Sequence, residues 1–261
     1  MTGWADGPLC AFDTETTGVD VDTARVVTAC VAVVNDGPVR AATWLADPGV
    51  DIPAEATAIH GITTAHARQH GRPAAEVVAE VEAALATAWA TGLPVVGFNI
   101  CYDLTVLDRE LRRHHGRPLT VAGPVVDPLV IDRHYDQYRR GPRKLDAMCA
   151  HYGVTQDGPH TAEGDAVAAA RLAWKQARTY PELAAMSLEE LAAAQAGWHR
   201  TWATEFRRYL IGQGRTDDLP DGAWPLRRPA QPVYDPDYVD GDPFGETLPQ
   251  PVPGSLGEGG R

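Results

Sequence analysis

Residues 10–20 of the chain read CAFDTETTGVD. An apolar run from Leu9 to Phe12 leads directly into two acidic residues, Asp13 and Glu15, which are separated by one residue. In an extended strand, residues i and i+2 point to the same side, so these two carboxylates would converge on one point. Because like charges at the end of a buried strand repel each other, we expect a cation to offset them.

Two further acidic residues lie where an α/β fold would bring them to the same crevice. Asp103 follows an apolar predicted strand at the start of a helix, and Asp165 lies in the first turn of another helix. His160 precedes Asp165 by five residues, in the loop before that helix. Strand ends and helix starts collect in one crevice of an open α/β sheet. We therefore expect all four carboxylates to form one site.

Four carboxylates within a few ångströms of one another cannot all remain ionised without a counter-charge. Mg²⁺ and Mn²⁺ prefer carboxylate oxygen and water as ligands. Two such ions, ~4 Å apart, can clamp the attacking and leaving oxygens of a phosphoryl transfer. Since two divalent cations balance the charge of four carboxylates, the pattern predicts a site for two metal ions, Mg²⁺ or Mn²⁺.

The bulk composition limits the function classes. The net charge of −12 and the pI near 5.1 argue against a broad basic surface that grips nucleic acid unaided. Neither of the two serines, Ser187 and Ser255, lies in a G-x-S-x-G motif, which argues against a serine hydrolase. The N-terminal residues lack signal-peptide features, and the longest apolar run, at 26–34, is too short to span a bilayer. We expect a soluble cytoplasmic protein with no membrane segment.

The region 8–178 alternates predicted strands and helices. The predicted strands are LCAFD, ARVVTACVAVV, VRAATWLA and PVVGF, with GPVVDPLVI as a candidate further strand. The predicted helices are 74–90, 103–114 and 163–178, the first of which places Val77, Val81 and Leu85 on one face. Three strands followed by strands that alternate with helices indicate an α/β layer structure with a mixed sheet.

A second type of sequence begins near residue 181. Ser187 and Glu190 form a capping box, which predicts the start of a helix that carries Trp198, Trp202 and Phe206 at helical spacing. Packing against the rest of the protein and docking to a partner are the two explanations for these aromatic residues. From about residue 213 the chain is rich in Pro, Gly and Asp, and we expect no fixed structure there.

Three motifs occur in the order found in a known family: FDTETTG at 12–18, NICYD at 99–103 and HTAEGD at 160–165. On these motifs, the chain resembles the DnaQ-like (DEDDh) 3′–5′ exonucleases, which have an RNase H-like fold. The segments IHGIT at 59–63 and RKLDAMCAHYGV at 143–154 are also similar, and ETTG looks most like the proofreading branch. Two positions depart from the family pattern, because Phe98 stands where His is frequent and Tyr102 replaces the commoner Phe.

The resemblance implies a role for each residue of the acidic site. Asp13, Glu15 and Asp165 would hold the first metal ion, and Asp13 would also bridge to the second. Asp103 would act on the second ion, directly or through water. His160 would be the general base that takes a proton from the attacking water, a task that suits an imidazole at physiological pH.

The resemblance also implies contacts to the terminal nucleotides. Thr16, Thr17 and Gly18 would offer backbone donors and allow close approach of the terminal nucleotide. One histidine and one asparagine would contact the 3′ end. Three apolar or aromatic side chains would stack on the last bases or wedge between them. For the histidine, a purely structural packing role is the alternative. The expected substrate-binding residues are Thr14, Thr16, Thr17, Gly18, His60, Ile62, Phe98, Asn99 and Tyr102.

The implied function is a metal-dependent 3′–5′ exonuclease that removes 5′-mononucleotides from single-stranded 3′ ends, with DNA as the favoured substrate. An exoribonuclease with the same site and a non-catalytic nucleic-acid-associated scaffold are the alternatives. The predicted organisation is an exonuclease domain at 1–180, a helical extension at 181–212 and a low-complexity tail at 213–261. The extension is a candidate contact for a polymerase or another replication or repair protein.

Two clusters of basic residues leave phosphate contacts and a solvated face as alternatives. The clusters are Arg139, Arg140, Arg143 and Lys144, and Arg112, Arg113 and Arg117.

Overall fold

A six-stranded mixed sheet organises the computed structural model, which describes residues 3–217 and 219–229. The strand order is β4-β3-β2-β1-β5-β6. The first three strands form an antiparallel meander, and β5 and β6 continue the sheet parallel to β1. The strands are β1 (Leu9–Thr16), β2 (Val26–Val34), β3 (Arg40–Asp47), β4 (Arg72–Pro73), β5 (Val95–Val96) and β6 (Val125–Val126). The mixed sheet predicted from the sequence is confirmed.

Helices cover the sheet. Those predicted at 74–90, 103–114 and 163–178 appear as α3, α4 and α7, with ends that differ from the prediction by at most three residues. The α-helices of the described residues are α1 (Ala54–His60), α2 (Thr64–His70), α3 (Ala74–Ala90), α4 (Ile100–His115), α5 (Pro128–Tyr135), α6 (Leu145–Tyr152), α7 (Ala162–Thr179), α8 (Pro181–Ala185) and α9 (Leu188–Gly212). No helix of the described residues combines the length and the apolar character needed to cross a membrane.

The first strand is buried on both faces because helices pack on either side of it. Cys10 and Phe12 pack into an apolar cluster with residues of α3 and α4. Leu9 and Ala11 point the other way, into a cluster with residues of α7. Side chains alternate along a strand, so each later residue of β1 belongs to one of these two faces.

The candidate strand GPVVDPLVI is wrong beyond its first part. Only Val125–Val126 is a strand, and α5 begins at Pro128. The Asp127 side chain accepts the backbone N–H of Leu129, which caps the helix, and a proline at the first helical position loses no intrahelical hydrogen bond. The Asp-Pro pair therefore ends the strand and starts the helix.

The long C-terminal helix begins where the capping box predicts. The Ser187 hydroxyl accepts the N–H of Glu190 at 3.2 Å, and the Glu190 carboxylate accepts the N–H of Ser187 at 2.8 Å. Farther along α9, the buried Gln195 completes the hydrogen bonding of β6. Its Oε1 accepts the N–H of Asp127 at 2.7 Å, and its Nε2 donates to the carbonyl of Val125 at 2.9 Å. Helix α9 thus closes one edge of the sheet.

Part of the region predicted to lack fixed structure contacts the folded unit. The backbone N–H of Arg227 donates to the Thr105 hydroxyl of α4 at 3.0 Å, and the carbonyl of Asp221 lies 3.0 Å from Nε2 of His199 on α9. Residues 218 and 230–261, which make up most of the predicted tail, lie outside the described residues. The boundaries at 180 and 212 remain predictions.

We predict that Gln195→Ala lowers the free energy of unfolding by about 2–4 kcal/mol, because two buried backbone groups of the β6 edge lose their partner. Urea denaturation followed by circular dichroism measures the change. The matched control is Gln69→Ala, which truncates an exposed glutamine on α2 and should change the stability by less than about 0.5 kcal/mol. Equal effects of the two substitutions would contradict this role for Gln195.

Candidate active site

The alternation of side chains along β1 divides the acidic residues between the two faces of the sheet. Asp13 and Glu15 follow Ala11 on the face covered by α7, and Asp165 lies in the first turn of α7. One carboxylate oxygen from each of these three residues lies within 4.8 Å of the others. The strand and the helix N-terminus therefore bring together three of the four predicted metal ligands.

The fourth acidic residue is fixed from the other face. Thr14 points towards α4, and its backbone N–H and its hydroxyl both donate to Oδ1 of Asp103, at 3.0 and 2.7 Å. The Asp103 side chain is almost fully buried in the first turn of α4. These two hydrogen bonds orient the carboxylate towards the common cavity.

A single cavity of about 390 Å³ joins both halves of the site. All five residues predicted to be catalytic line it. Of the nine predicted substrate-binding residues, four line it as well. Its walls are formed by Asp13, Thr14, Glu15, Phe98, Asn99, Tyr102, Asp103, Leu129, Arg133, Arg143, Lys144, Leu145, His160 and Asp165.

The carboxylates of this cavity are difficult to ionise together. Burial, followed by repulsion from Asp103, Asp165 and Glu15, raises the pKa of Asp13 well above its usual range. Burial and the same kind of repulsion raise the pKa of Glu15 to about 8. Burial also raises the pKa of Asp103 to about 7, against the opposing effect of the hydrogen bonds from Thr14. At neutral pH the cluster therefore retains protons unless a cation replaces them.

The loop before α7 holds Asp165 through one of its two oxygens. The side-chain amide of Gln156 donates to Oδ1 of Asp165 at 2.7 Å, and the backbone N–H of His160 approaches the same oxygen at 3.3 Å. His160 has a positive φ of 62°, which is uncommon for a residue with a side chain. This backbone conformation directs its N–H at Asp165 while its exposed side chain borders the cavity.

The threonines after Glu15 are held within the protein. The hydroxyl of Thr16 donates to the carbonyl of Gly18 at 2.8 Å and lies 2.5 Å from the hydroxyl of Tyr102, which also donates to Gly18. The hydroxyl of Thr17 accepts the N–H of Arg25. The side chains of these threonines therefore shape the loop, and contacts of the loop with a nucleotide stay a prediction.

The other predicted substrate contacts lie in two places. Phe98 and Asn99 line the cavity, and the backbone N–H of Asn99 donates to the buried Asp127 at 3.0 Å. His60 is the last residue of α1, and its ring Nδ1 accepts the N–H of Ile62, which lies just after the helix. The Nε2 atom of His60 is buried without a hydrogen-bond partner among the described residues, and burial lowers the pKa of this ring. The contact of His60 with a 3′ end therefore stays a prediction, with packing as its alternative.

The sequence interpretation missed several residues of the site. Asp127 fixes the turn that carries Asn99, and the Asp-Pro pair after two valines was the signal for it. Gln156 and Arg133 carry no signal in the sequence, because only the tertiary structure brings them to Asp165 and to the cavity.

The two basic clusters differ in position. Arg143 and Lys144 of the first cluster line the cavity, and the guanidinium of Arg143 also donates to the buried Asp132 at 2.8 Å. In the second cluster, every member forms an ion pair within the protein: Arg112 with Asp108, Arg113 with Glu110, and Arg117 with Glu82. Arg143 and Lys144 are thus the members of the two clusters that border the cavity, and contact with a phosphate stays a prediction for them.

Comparison with known proteins matches the region that contains the three sequence motifs. The exonuclease family model RNase T matches residues 10–173. The DNA polymerase III subunit epsilon-like protein of Rhodobacter capsulatus is 32% identical over 169 residues, which cover 61% of this chain and 22% of that protein. The chain thus matches about a fifth of the length of this relative.

Solved structures share the fold at low sequence identity. Escherichia coli exonuclease I in complex with a dT13 oligonucleotide aligns with a TM-score of 0.53 and 18% identity, over 68% of this chain and 43% of that one. Exonuclease I from Methylocaldum szegediense aligns with a TM-score of 0.53 and 22% identity, over 77% of this chain and 45% of that one. Exonuclease X in complex with 5′ overhanging duplex DNA aligns with a TM-score of 0.52 and 20% identity, over 72% of this chain and 99% of that one. The predicted RNase H-like fold is confirmed.

The family match covers more than half of the chain and includes all three motifs that carry the predicted catalytic residues. The solved relatives have the same fold. The chain is therefore a member of the RNase T family of exonucleases, as its DnaQ-like motifs predicted.

Proposed function

We propose that this chain is a 3′–5′ exonuclease that releases 5′-mononucleotides from single-stranded 3′ ends, with DNA as the favoured substrate. The observation that carries the proposal is the convergence of Asp13, Glu15 and Asp165 within 4.8 Å, in one cavity with Asp103 and His160. This set occupies the positions of the family motifs, and its chemistry suits the hydrolysis of a phosphodiester.

The donor set fits hard divalent cations. It offers only carboxylate oxygens, which Mg²⁺ and Mn²⁺ prefer, and the raised pKa values of Asp13 and Glu15 show how strongly the site needs positive charge. Asp13, Glu15 and Asp165 would hold one ion, and Asp103 with Asp13 would hold a second. Bound there, the ions would supply the positive charge that stabilises the attacking and leaving oxygens.

His160 would act as the general base. Its side chain borders the cavity and forms no hydrogen bond with the described residues, so its ring nitrogens are available to a water molecule. The same residue contacts Asp165 through its backbone N–H, which fixes the loop relative to the acidic cluster. His160 would therefore take the proton from the attacking water at a position beside the acidic cluster.

A DNA substrate agrees with the relatives whose structures contain DNA, exonuclease I with an oligonucleotide and exonuclease X with an overhanging duplex. Arg143 and Lys144 would meet the phosphates near the scissile bond, since both line the cavity. An exoribonuclease with the same site is the second candidate, because no residue of the cavity is assigned to a 2′-hydroxyl. The epsilon-like name of one relative supports a polymerase as a candidate partner.

We predict that Asp13→Asn lowers the rate of single-strand cleavage by at least about 10³-fold, because it removes a charge shared by both metal positions. Matched 5′-labelled DNA and RNA strands with Mg²⁺ or Mn²⁺ reveal polarity and substrate class together. A ladder of shortened 5′-labelled products shows cleavage from the 3′ end. The matched control is Asp36→Asn, at an exposed aspartate outside the cavity, which should retain wild-type activity. Wild-type activity in Asp13→Asn would refute the assignment.

We predict that His160→Asn lowers kcat by about 10²–10⁴-fold, the usual range for loss of a general base. Asparagine tolerates the positive φ at this position and keeps the backbone N–H that contacts Asp165, so the fold and the metal affinity should be retained. Calorimetric titration with Mn²⁺ checks the second expectation. His70→Asn, at an exposed position on α2, is the control. A kcat within about threefold of wild type would exclude this base.

The electrostatics of the cluster predict how stability depends on pH without metal. The folded protein binds more protons than the unfolded chain between the ordinary and the raised pKa values of Asp13 and Glu15, so its stability falls as pH rises through this window. In EDTA at about pH 8, Asp13→Asn should therefore melt at a higher temperature than wild type, by about 2–4 °C per kcal/mol of relieved penalty. The difference should shrink towards about pH 5.

Added Mn²⁺ should reverse the order of the two melting temperatures. The ion stabilises the wild-type protein by binding to it, and it binds more weakly to Asp13→Asn because one ligand is missing there. Differential scanning calorimetry in EDTA and in Mn²⁺ measures both effects, with Asp36→Asn as the control. A wild-type melting temperature that does not respond to Mn²⁺ would contradict a metal site and support the scaffold alternative.

A further inference from the structure

Helix α9 lies outside the part of the chain that matches the family, and it carries a row of aromatic side chains. The rings of Trp202 and Phe206 stack at 5.5 Å, and those of Phe206 and Tyr209 stack at 6.1 Å. Phe206 and Tyr209 are 37% and 61% exposed. This row is therefore only partly used in packing.

Next to this row is a second cavity, of about 270 Å³, which we call the α5–α9 cleft. Its walls include Arg133, His134 and Arg143 on one side and Trp198, Trp202 and Glu205 of α9 on the other. Arg133 and Arg143 also line the acidic cavity. The two cavities thus share a wall of two arginines, and the cleft continues directly from the proposed active site.

The cleft carries an arginine whose charge is only partly offset, by the nearby carboxylates of Asp127 and Asp132. The guanidinium of Arg133 lies 3.5 Å from the ring centre of Trp202, and it forms no ion pair or hydrogen bond with residues 3–217 or 219–229. Burial lowers the pKa of Arg133 to about 10, yet it remains charged at neutral pH. A partly buried guanidinium held against an indole is well placed to accept a phosphate from outside.

We propose that the α5–α9 cleft binds the substrate strand upstream of the scissile phosphate. Phosphates would lie at Arg133 and Arg143, with Trp202 holding the Arg133 guanidinium in place, and bases would stack on the exposed rings of Phe206 and Tyr209. The proposal rests on the proposed function, since it extends the same substrate beyond the acidic cavity. Single-stranded nucleic acid is favoured over a protein partner because the cleft presents an arginine that forms no ion pair with the described residues, is lined by flat aromatic rings and is continuous with a site for phosphodiesters.

Glu205 offers a substitution that should strengthen binding of the strand. It is an exposed acidic residue among the cationic and aromatic walls of the cleft. Its charge would repel the phosphates of a bound strand. Removing this charge should therefore strengthen binding, an effect that damage to the fold cannot produce.

The test compares thymidylate oligomers that reach the cleft with one that does not. The ratio of kcat/KM for a decanucleotide to that for a dinucleotide should fall about tenfold in Trp202→Leu, because this substitution removes both the ring that holds Arg133 and the first ring of the aromatic row. The same ratio should rise about twofold in Glu205→Gln at low salt. Trp174→Leu is the matched control, because Trp174 is a 38% exposed tryptophan on α7 that also has an arginine over its ring. It should leave the ratio unchanged.

A second control tests whether the effect of Glu205→Gln is local or comes from net charge. Glu189→Gln removes the same charge from the first turn of α9, about 24 Å away along the helix. Its decanucleotide ratio should match wild type. Equal gains in Glu189→Gln and Glu205→Gln would overturn the proposal, because they would reflect net charge alone.

Binding without cleavage separates failure of this proposal from failure of the proposed function. In the Asp13→Asn background, fluorescence anisotropy with a 5′-fluorescein decathymidylate should show weaker binding in Trp202→Leu and tighter binding in Glu205→Gln. If wild type degrades the decanucleotide but neither substitution changes binding or the ratio, the cleft proposal is wrong while the exonuclease stands. If wild type neither cleaves nor binds the oligomers, both proposals fail.

Discussion

Repulsion among carboxylates at the end of β1 is the constraint around which the structure is arranged. Asp13 and Glu15 share one side of the strand, and the fold adds Asp165 to the same point instead of a basic side chain. Burial between helices α3, α4 and α7 makes this repulsion stronger, as the raised pKa values of Asp13 and Glu15 show. A fold that keeps such a cluster together is suited to recruit a metal cation from solution.

The neighbouring residues hold each carboxylate in place despite this repulsion. Thr14 donates twice to Asp103, and Gln156 with the backbone of His160 holds one oxygen of Asp165. These donors stabilise the charged forms and fix the directions of the remaining oxygens. The site is therefore largely organised by hydrogen bonds within the protein.

Helix α9 links the family core to the features that belong to this chain. Gln195 supplies the hydrogen bonds that finish the sheet at β6, so the helix contributes to the same folded unit as the active site. The same helix places Trp202 over Arg133, at the border of the acidic cavity. One element thus both supports the sheet and lengthens the surface that continues from the site.

The sequence by itself determined the elements and residues whose signals are local. The i, i+2 spacing of Asp13 and Glu15, the apolar face of the helix at 74–90 and the capping box at Ser187 each depend on a few neighbouring residues, and the structure has all three. Only the tertiary structure decided that Arg133 and Gln156 belong to the site and that Thr14 serves Asp103. Thr14 and Asp103 lie 89 residues apart, and the geometry of all these contacts depends on how helices and loops pack on the sheet, which no local pattern encodes.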